Sequence, residues 1–263
     1  MFKREMKVNL KGFIVWSVII ISLYLVIYLV YPSVTGDASA QKMDDLMKIF
    51  PEDMLKAFNM DLASVDTAYG WLKSEGFVFI YLIIGVYSGM LGANILLKEE
   101  SEKTIEYLNS LPMTRTEMVL GKVWTAIIYI TSMILCLGIF NFAAMSLSGD
   151  FDKKQLVLLS ITPLFPALVL FAICMFISTF FHKTRSMLGI SIGLAFAAYV
   201  LNVISGMSDS VEFLKYISPF TLADSRSVIN DVKINPLMPV LTLLIMAVFV
   251  VLTIVRYRKK ELV

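Results

Sequence analysis

The sequence predicts an all-α integral membrane protein with six transmembrane helices. Three observations carry that prediction. Hydrophobic residues make up 58% of the 263 residues and charged residues only 17%, against about 25% in a soluble domain. The apolar residues gather in six runs, each near the about 20 residues that a helix needs to cross the hydrocarbon of a bilayer. Finally, fourteen of the 23 Lys and Arg residues flank those runs closely and fall on one side if the chain crosses six times. Such a bias in short loops marks the cytoplasmic side, so both termini and the polar stretch 98–122 are expected there. The chain is read as one multi-pass domain over 1–263, with no soluble domain left over.

The elements follow in order. Residues 1–11 place Phe2, Met6, Leu10 and then Phe13 on one helical face and Lys3, Arg4, Lys7 and Lys11 on the other, the pattern of a helix lying in the headgroup layer against membrane lipid. The first span, 12–31, is too long for a cleavable signal and lacks a small-residue cleavage site. Residues 32–76 form an outer loop in which acids alternate with apolar side chains around Pro51, as in short amphipathic helices. Met43, Met47, Met54 and Met60 there suit adaptable packing better than soft-metal ligation. Spans two and five, 77–97 and 187–206, carry Gly85, Gly89 and Gly92, and Gly189 and Gly193, small residues at a spacing that allows close helix packing. Span three covers 119–147. In span four, 156–181, Pro163 and Pro166 should kink the helix. Residues 207–236 read as a second outer segment with a short helix, and 237–255 as the last span.

The stretch 98–122 shows the most design. Glu99 and Lys103 make a favourable i, i+4 pair, and Ile105, Leu108 and Leu111 share a face from which Glu102 and Glu106 point away. Pro112 disfavours helix at the residue before it. Thr114, with Glu117 three residues on, forms a capping box that starts the next helix. The pattern is a short helix, a turn, and a long third helix that protrudes beyond the hydrocarbon.

The chemistry present excludes several classes. No ionisable group is expected deep in a span, where ion-coupled carriers place theirs. No Gly-x-x-x-x-Gly-Lys-Ser/Thr loop is present to bind ATP. Adjacent Glu99 and Glu100 would suit a membrane-embedded protease, but Thr104 stands where such an enzyme needs Arg. His182 is the only histidine, which also removes a zinc site; Cys136 and Cys174 lie inside spans. No catalytic or metal-binding residues are assigned, and nothing points to nucleic acid. What remains is a membrane subunit moved by a partner, or a non-transporting anchor or sensor subunit of a larger complex.

The run Glu-Lys-Thr-Ile-Glu-Tyr-Leu-Asn-Ser-Leu-Pro-Met-Thr-Arg-Thr-Glu-Met-Val-Leu-Gly-Lys between spans two and three resembles the ABC-2 type permease subunits of ATP-binding cassette exporters. Thr104, Leu108, Leu111, Pro112, Thr114, Arg115, Gly121 and Lys122 match that family's wording. Pro51-Glu-Asp-Met-Leu-Lys-Ala-Phe58 and Ser218-Pro219-Phe220 resemble it as well, with Asn59 where a glycine is common. The resemblance implies a plasma-membrane permease that pairs with a second copy and with two separate ATPase subunits, which carry the ATP and Mg. Residues 98–115 would hold the coupling helix, with Ile105, Leu108 and Leu111 as its anchor and Glu99, Glu100, Glu102 and Glu106 as its rim. Arg115 would grip the ATPase or lie in the headgroup layer. A cavity lined by Phe, Met and Tyr would suit an amphipathic peptide or hydrophobic drug.

Overall fold

A computed structural model describes residues 2–35, 69, 72, 76–105, 112–148, 151–207, 209–223 and 225–260. They are helical throughout, apart from turns. Among the described residues, eight α-helices follow one another: α1 Phe2–Thr35, α2 Phe77–Ser101, α3 Arg115–Ser148, α4 Lys153–Ile161, α5 Leu164–Ser178, α6 Thr184–Ser205, α7 Ser225–Asp231 and α8 Leu237–Lys259. Two 3-10 helices, Asp209–Tyr216 and Pro219–Ala223, join α6 to α7. Among the described residues, six stretches are long and apolar enough to cross a membrane, with α4 and α5 together making the fourth. The expected outer helices of the loop after α1 lie outside the described residues.

Residues 2–11 are helical but do not form a separate element. α1 runs unbroken for 34 residues, about 51 Å at 1.5 Å per residue. Its inward stripe is Met6, Phe13, Trp16, Ile20, Tyr24 and Tyr28, the i, i+3/i+4 series of one helix face, whereas Phe2 and Leu10 are exposed. That stripe lies along α3. Phe13 meets Tyr129 at 5.1 Å between ring centroids, Tyr28 meets Phe140 at 6.2 Å, and the Tyr129 hydroxyl donates to the Met6 carbonyl.

α2 is the central helix, packed most extensively on α5 and next on α6. Glycine permits this. A Cβ on Gly92 would stand 2.3 Å from the Phe171 carbonyl oxygen of α5, and one on Gly85 would stand 2.7 Å from the Phe220 ring. Gly89 sits against Cys174 and the Ser191 backbone. The expectation for span five fails within this chain: Gly189 and Gly193 have nothing within 4 Å of where a Cβ would be. The buried face of α6 is instead Met187, Ser191, Ala195 and Ala198. Position 191 lies two residues from both glycines, about 200° round the helix, so the glycines face away from α2.

The fourth span is broken rather than bent. Asp152 caps α4 by accepting from the Lys154 and Gln155 amides at 2.9 and 3.1 Å. Pro163 has no N–H to offer the Leu159 carbonyl, and the Thr162 hydroxyl takes that carbonyl at 2.7 Å. α5 then starts on Pro163, with Pro166 in its first turn, where missing donors cost nothing. In the segment after α6, Ser218 Oγ donates to the Ala198 carbonyl at 2.7 Å and accepts from the Phe220 amide at 3.2 Å. This places Phe220 under Gly85 of α2.

Candidate coupling site

The ends of α1, α2, α3 and α8 meet around two adjacent carboxylates. α2 closes on Glu99-Glu100-Ser101 with a Schellman motif: the Lys103 amide donates to the Glu100 carbonyl at 3.2 Å and the Thr104 amide to the Glu99 carbonyl at 2.8 Å. The residue in the left-handed position is Lys103, φ 55°, a place glycine usually fills. This ending fixes the backbone of Glu99 and Glu100 and turns their side chains into the bundle, where both are buried.

Glu99 meets Lys122, which lies two turns into α3 and is 1% exposed. Lys122 Nζ donates to both Glu99 oxygens at 2.7 and 2.8 Å, lies 3.5 Å from Glu5 Oε1 of α1, and also donates to the Ile95 carbonyl. Glu5 is itself buried and accepts from Asn9 Nδ2 at 3.3 Å. Glu100 meets Lys260, just past α8. Lys260 Nζ donates to both Glu100 oxygens at 2.8 Å and to the Phe181 carbonyl at 2.6 Å, and His182 Nδ1 stands 3.2 Å from Glu100 Oε2. Arg115, the first residue of α3, donates from Nη1 to the carbonyls of Tyr257, Arg258 and Lys260 at 3.1, 3.0 and 2.8 Å. It thereby satisfies carbonyls that the end of α8 leaves open. Arg258 answers through Thr116 Oγ1 at 2.7 Å.

Several expectations are corrected by this geometry. Glu99 does not pair with Lys103; the helix ends before that pair can form, and the carboxylate turns inward to Lys122. Glu99 and Glu100 are therefore buried internal partners rather than an exposed rim. Arg115 neither reaches outward nor lies free in a headgroup layer, since it caps α8. Lys122 is inside the bundle. Glu102 and Pro112 are exposed, Thr104 is half-buried and Ile105 is 2% exposed. Glu106, Leu108 and Leu111 lie outside the described residues. The capping box forms as expected: the Thr114 amide donates to Glu117 Oε2 at 2.9 Å, and the Glu117 amide to Thr114 Oγ1 at 3.2 Å.

Sequence reasoning missed Glu5, Lys122 and Lys260 as site residues. Their signal was present: Glu5 is the single acid in a basic segment, and a Glu-Glu pair closing an apolar helix requires cations to meet it. The arrangement ties helix ends together. Each carboxylate is held by an ammonium group, and among the described residues no three His, Cys, Asp or Glu side chains group as metal ligands. The cluster fastens both ends of the stretch 98–122 to each other and to both chain termini.

Six apolar helices and a polar loop anchored at the bundle end define a multi-pass membrane protein of the permease kind. The family model for the ABC-2 family transporter protein matches residues 1–262, and the chain belongs to that family. It is the membrane-spanning permease subunit of an ABC transporter, and the family implies an ABC ATPase as partner. No curated protein matches the chain in a direct sequence comparison.

Proposed function

We propose that this permease couples ATP hydrolysis on a separate ATPase subunit to the export of an amphipathic or hydrophobic substrate, a peptide or drug, through the plasma membrane. The observation that carries the reading is the clamp on the stretch 98–122. Its two roots, the end of α2 and the start of α3, are joined by Glu99 and Lys122 and tied to α8 through Arg115. A displacement applied between the roots is passed to several spanning helices at once. In this reading, exposed Glu102 and Pro112 flank the surface that meets the ATPase, and Leu108 and Leu111 seat the coupling helix there; Ile105, expected to share that anchor, is buried within this chain and holds the helix to the bundle. Two ATPase subunits bind the ATP and Mg. A second copy of this chain completes the transport path, and both termini face the cytoplasm. The aromatic and Met-rich interior suits an apolar substrate.

The test is co-purification from native membranes, with ATPase activity compared between the wild-type chain and Leu108→Glu. An ATPase that co-purifies with the wild type and is released or uncoupled by the substitution supports the proposal. If no ATPase co-purifies and the substitution changes nothing, the stretch is a connecting loop and the proposal fails.

A further inference from the structure

Near the charged cluster, α1 and α2 touch each other little, and a cavity of about 450 Å³ opens between them, walled on one side by Leu188 of α6. Its lining is graded. At one end stand Asn9 and Lys11 of α1 with Asn94 and Lys98 of α2; further along are Trp16 and Tyr87, with ring centroids 5.8 Å apart. No carboxylate lines the cavity. Among the described residues neither Lys11 nor Lys98 forms an ion pair. The nearby Glu5 carboxylate has one oxygen 3.5 Å from Lys122 Nζ and accepts from Asn9 Nδ2 with the other. A Cβ on Gly12 would meet nothing within 4 Å, so bare backbone faces the polar end. Beyond the cavity, α1 exposes Ile14, Val18 and Ile19.

We propose that this cleft binds an anionic phospholipid. Its phosphate lies between Lys11 and Lys98, its glycerol ester oxygens accept from the side-chain amide of Asn94, and one acyl chain runs along Phe13 and Trp16 onto the apolar flank of α1; the Asn9 amide is already engaged with Glu5. Charge complementarity selects the occupant. Two ammonium groups without carboxylate partners sit at the polar mouth of an apolar slot, at the point where the charged start of α1 gives way to its apolar run. That is the depth of a headgroup, and the depth at which Trp rings are enriched. An uncharged hydrophobic ligand would leave both ammonium groups unmatched. The bound lipid fills the gap between α1 and α2. The inference rests on the chain's spanning a membrane and not on any ATPase, so loss of the coupling proposal leaves it standing.

The experiment uses Trp16 as the only indole, through Trp71→Phe and Trp124→Phe, in nanodiscs carrying one lipid composition in both leaflets. Dibrominated phosphatidylglycerol is titrated against dibrominated phosphatidylcholine as a quencher. Near a charged surface each lysine contributes about fivefold in affinity for anionic lipid, so phosphatidylglycerol is expected to reach half-quenching at a several-fold lower mole fraction. Lys11→Gln with Lys98→Gln is expected to erase that preference. Equal quenching by the two lipids in the parent, or a preference unchanged in the double variant, overturns the proposal. Displacement by inorganic phosphate as effective as by unbrominated phosphatidylglycerol also overturns it, leaving a simple anion site. Displacement by an uncharged hydrophobic drug in preference to lipid overturns it in favour of a substrate pocket. If the Trp variants do not fold, native mass spectrometry of the protein with wild-type tryptophans decides: it should retain at least one more phosphatidylglycerol than Lys11→Gln/Lys98→Gln, and equal retention sinks the idea.

Discussion

Lys122 is buried within hydrogen-bonding distance of one carboxylate and in reach of a second. Removing it leaves Glu99 and Glu5 in a bundle core without a cation. A broken buried pair costs about 3–5 kcal/mol, so Lys122→Met is expected to lower the thermal unfolding midpoint in detergent sharply. Adding Glu99→Gln should restore part of the loss, because the amide carries no charge to strand. Additive losses in the two variants would show that the residues do not act as a pair. Arg115 is a second case. Its guanidinium Nη1 serves three carbonyls at the end of α8. Arg115→Ala removes that donor and leaves the carbonyls at the end of α8 open, and should loosen residues 257–260 to hydrogen exchange while leaving α5 protected. These residues were only half legible. Thr114 and Glu117 could be paired from their spacing, because a capping box is local. Glu5, Lys122 and Lys260 could not be assigned, because each finds its partner more than twenty residues away, and no periodicity reports which end of a bundle closes on which.

At the scale of the helices, the packing of α2 on α5 depends on Gly92. An Ala there drives a methyl group toward the Phe171 carbonyl, at 2.3 Å, and the backbones must part. Overpacking of this kind costs about 1–3 kcal/mol. Gly189→Ala and Gly193→Ala, with open space at both positions, should leave the unfolding of the isolated chain unchanged. Chemical denaturation of the three variants side by side checks this, and a Gly189→Ala loss equal to that of Gly92→Ala would contradict the packing described. The sequence placed all six spans because their hydropathy is continuous. It could not tell which glycines lie at contacts, since both stripes have the same spacing and the distinction belongs to tertiary structure. The fourth span was read as kinked. That it separates into α4 and α5 depends on the Thr162 hydroxyl donating to the Leu159 carbonyl, a substitute donor for the missing Pro163 N–H that lets the helix stop cleanly before Pro163.

The molecule as a whole is a bundle in which α1, α2, α3 and α8 are gathered at one end by side chains that include Glu5 and Lys260. The proposed coupling needs such a joint, because a flexible connection between α2 and α3 would absorb a displacement instead of passing it on. Rigidity at the roots of the stretch 98–122 can be measured without knowing the substrate. Glu102 and Glu117 are exposed on either side of it, so spin labels at Glu102→Cys and Glu117→Cys report the separation of the roots, with exposed Cys136 replaced by Ser. A single narrow distance distribution is expected, and it should stay narrow when the ATPase partner binds nucleotide. With Glu99→Gln the charged half of the tie to Lys122 is lost, and the distribution should broaden or split while the protein remains folded. The same width with and without Glu99 would mean that the ion pair does not hold the roots together. Transmission to the spanning helices would then have to run through the apolar contacts of α2 with α5 and α6 alone.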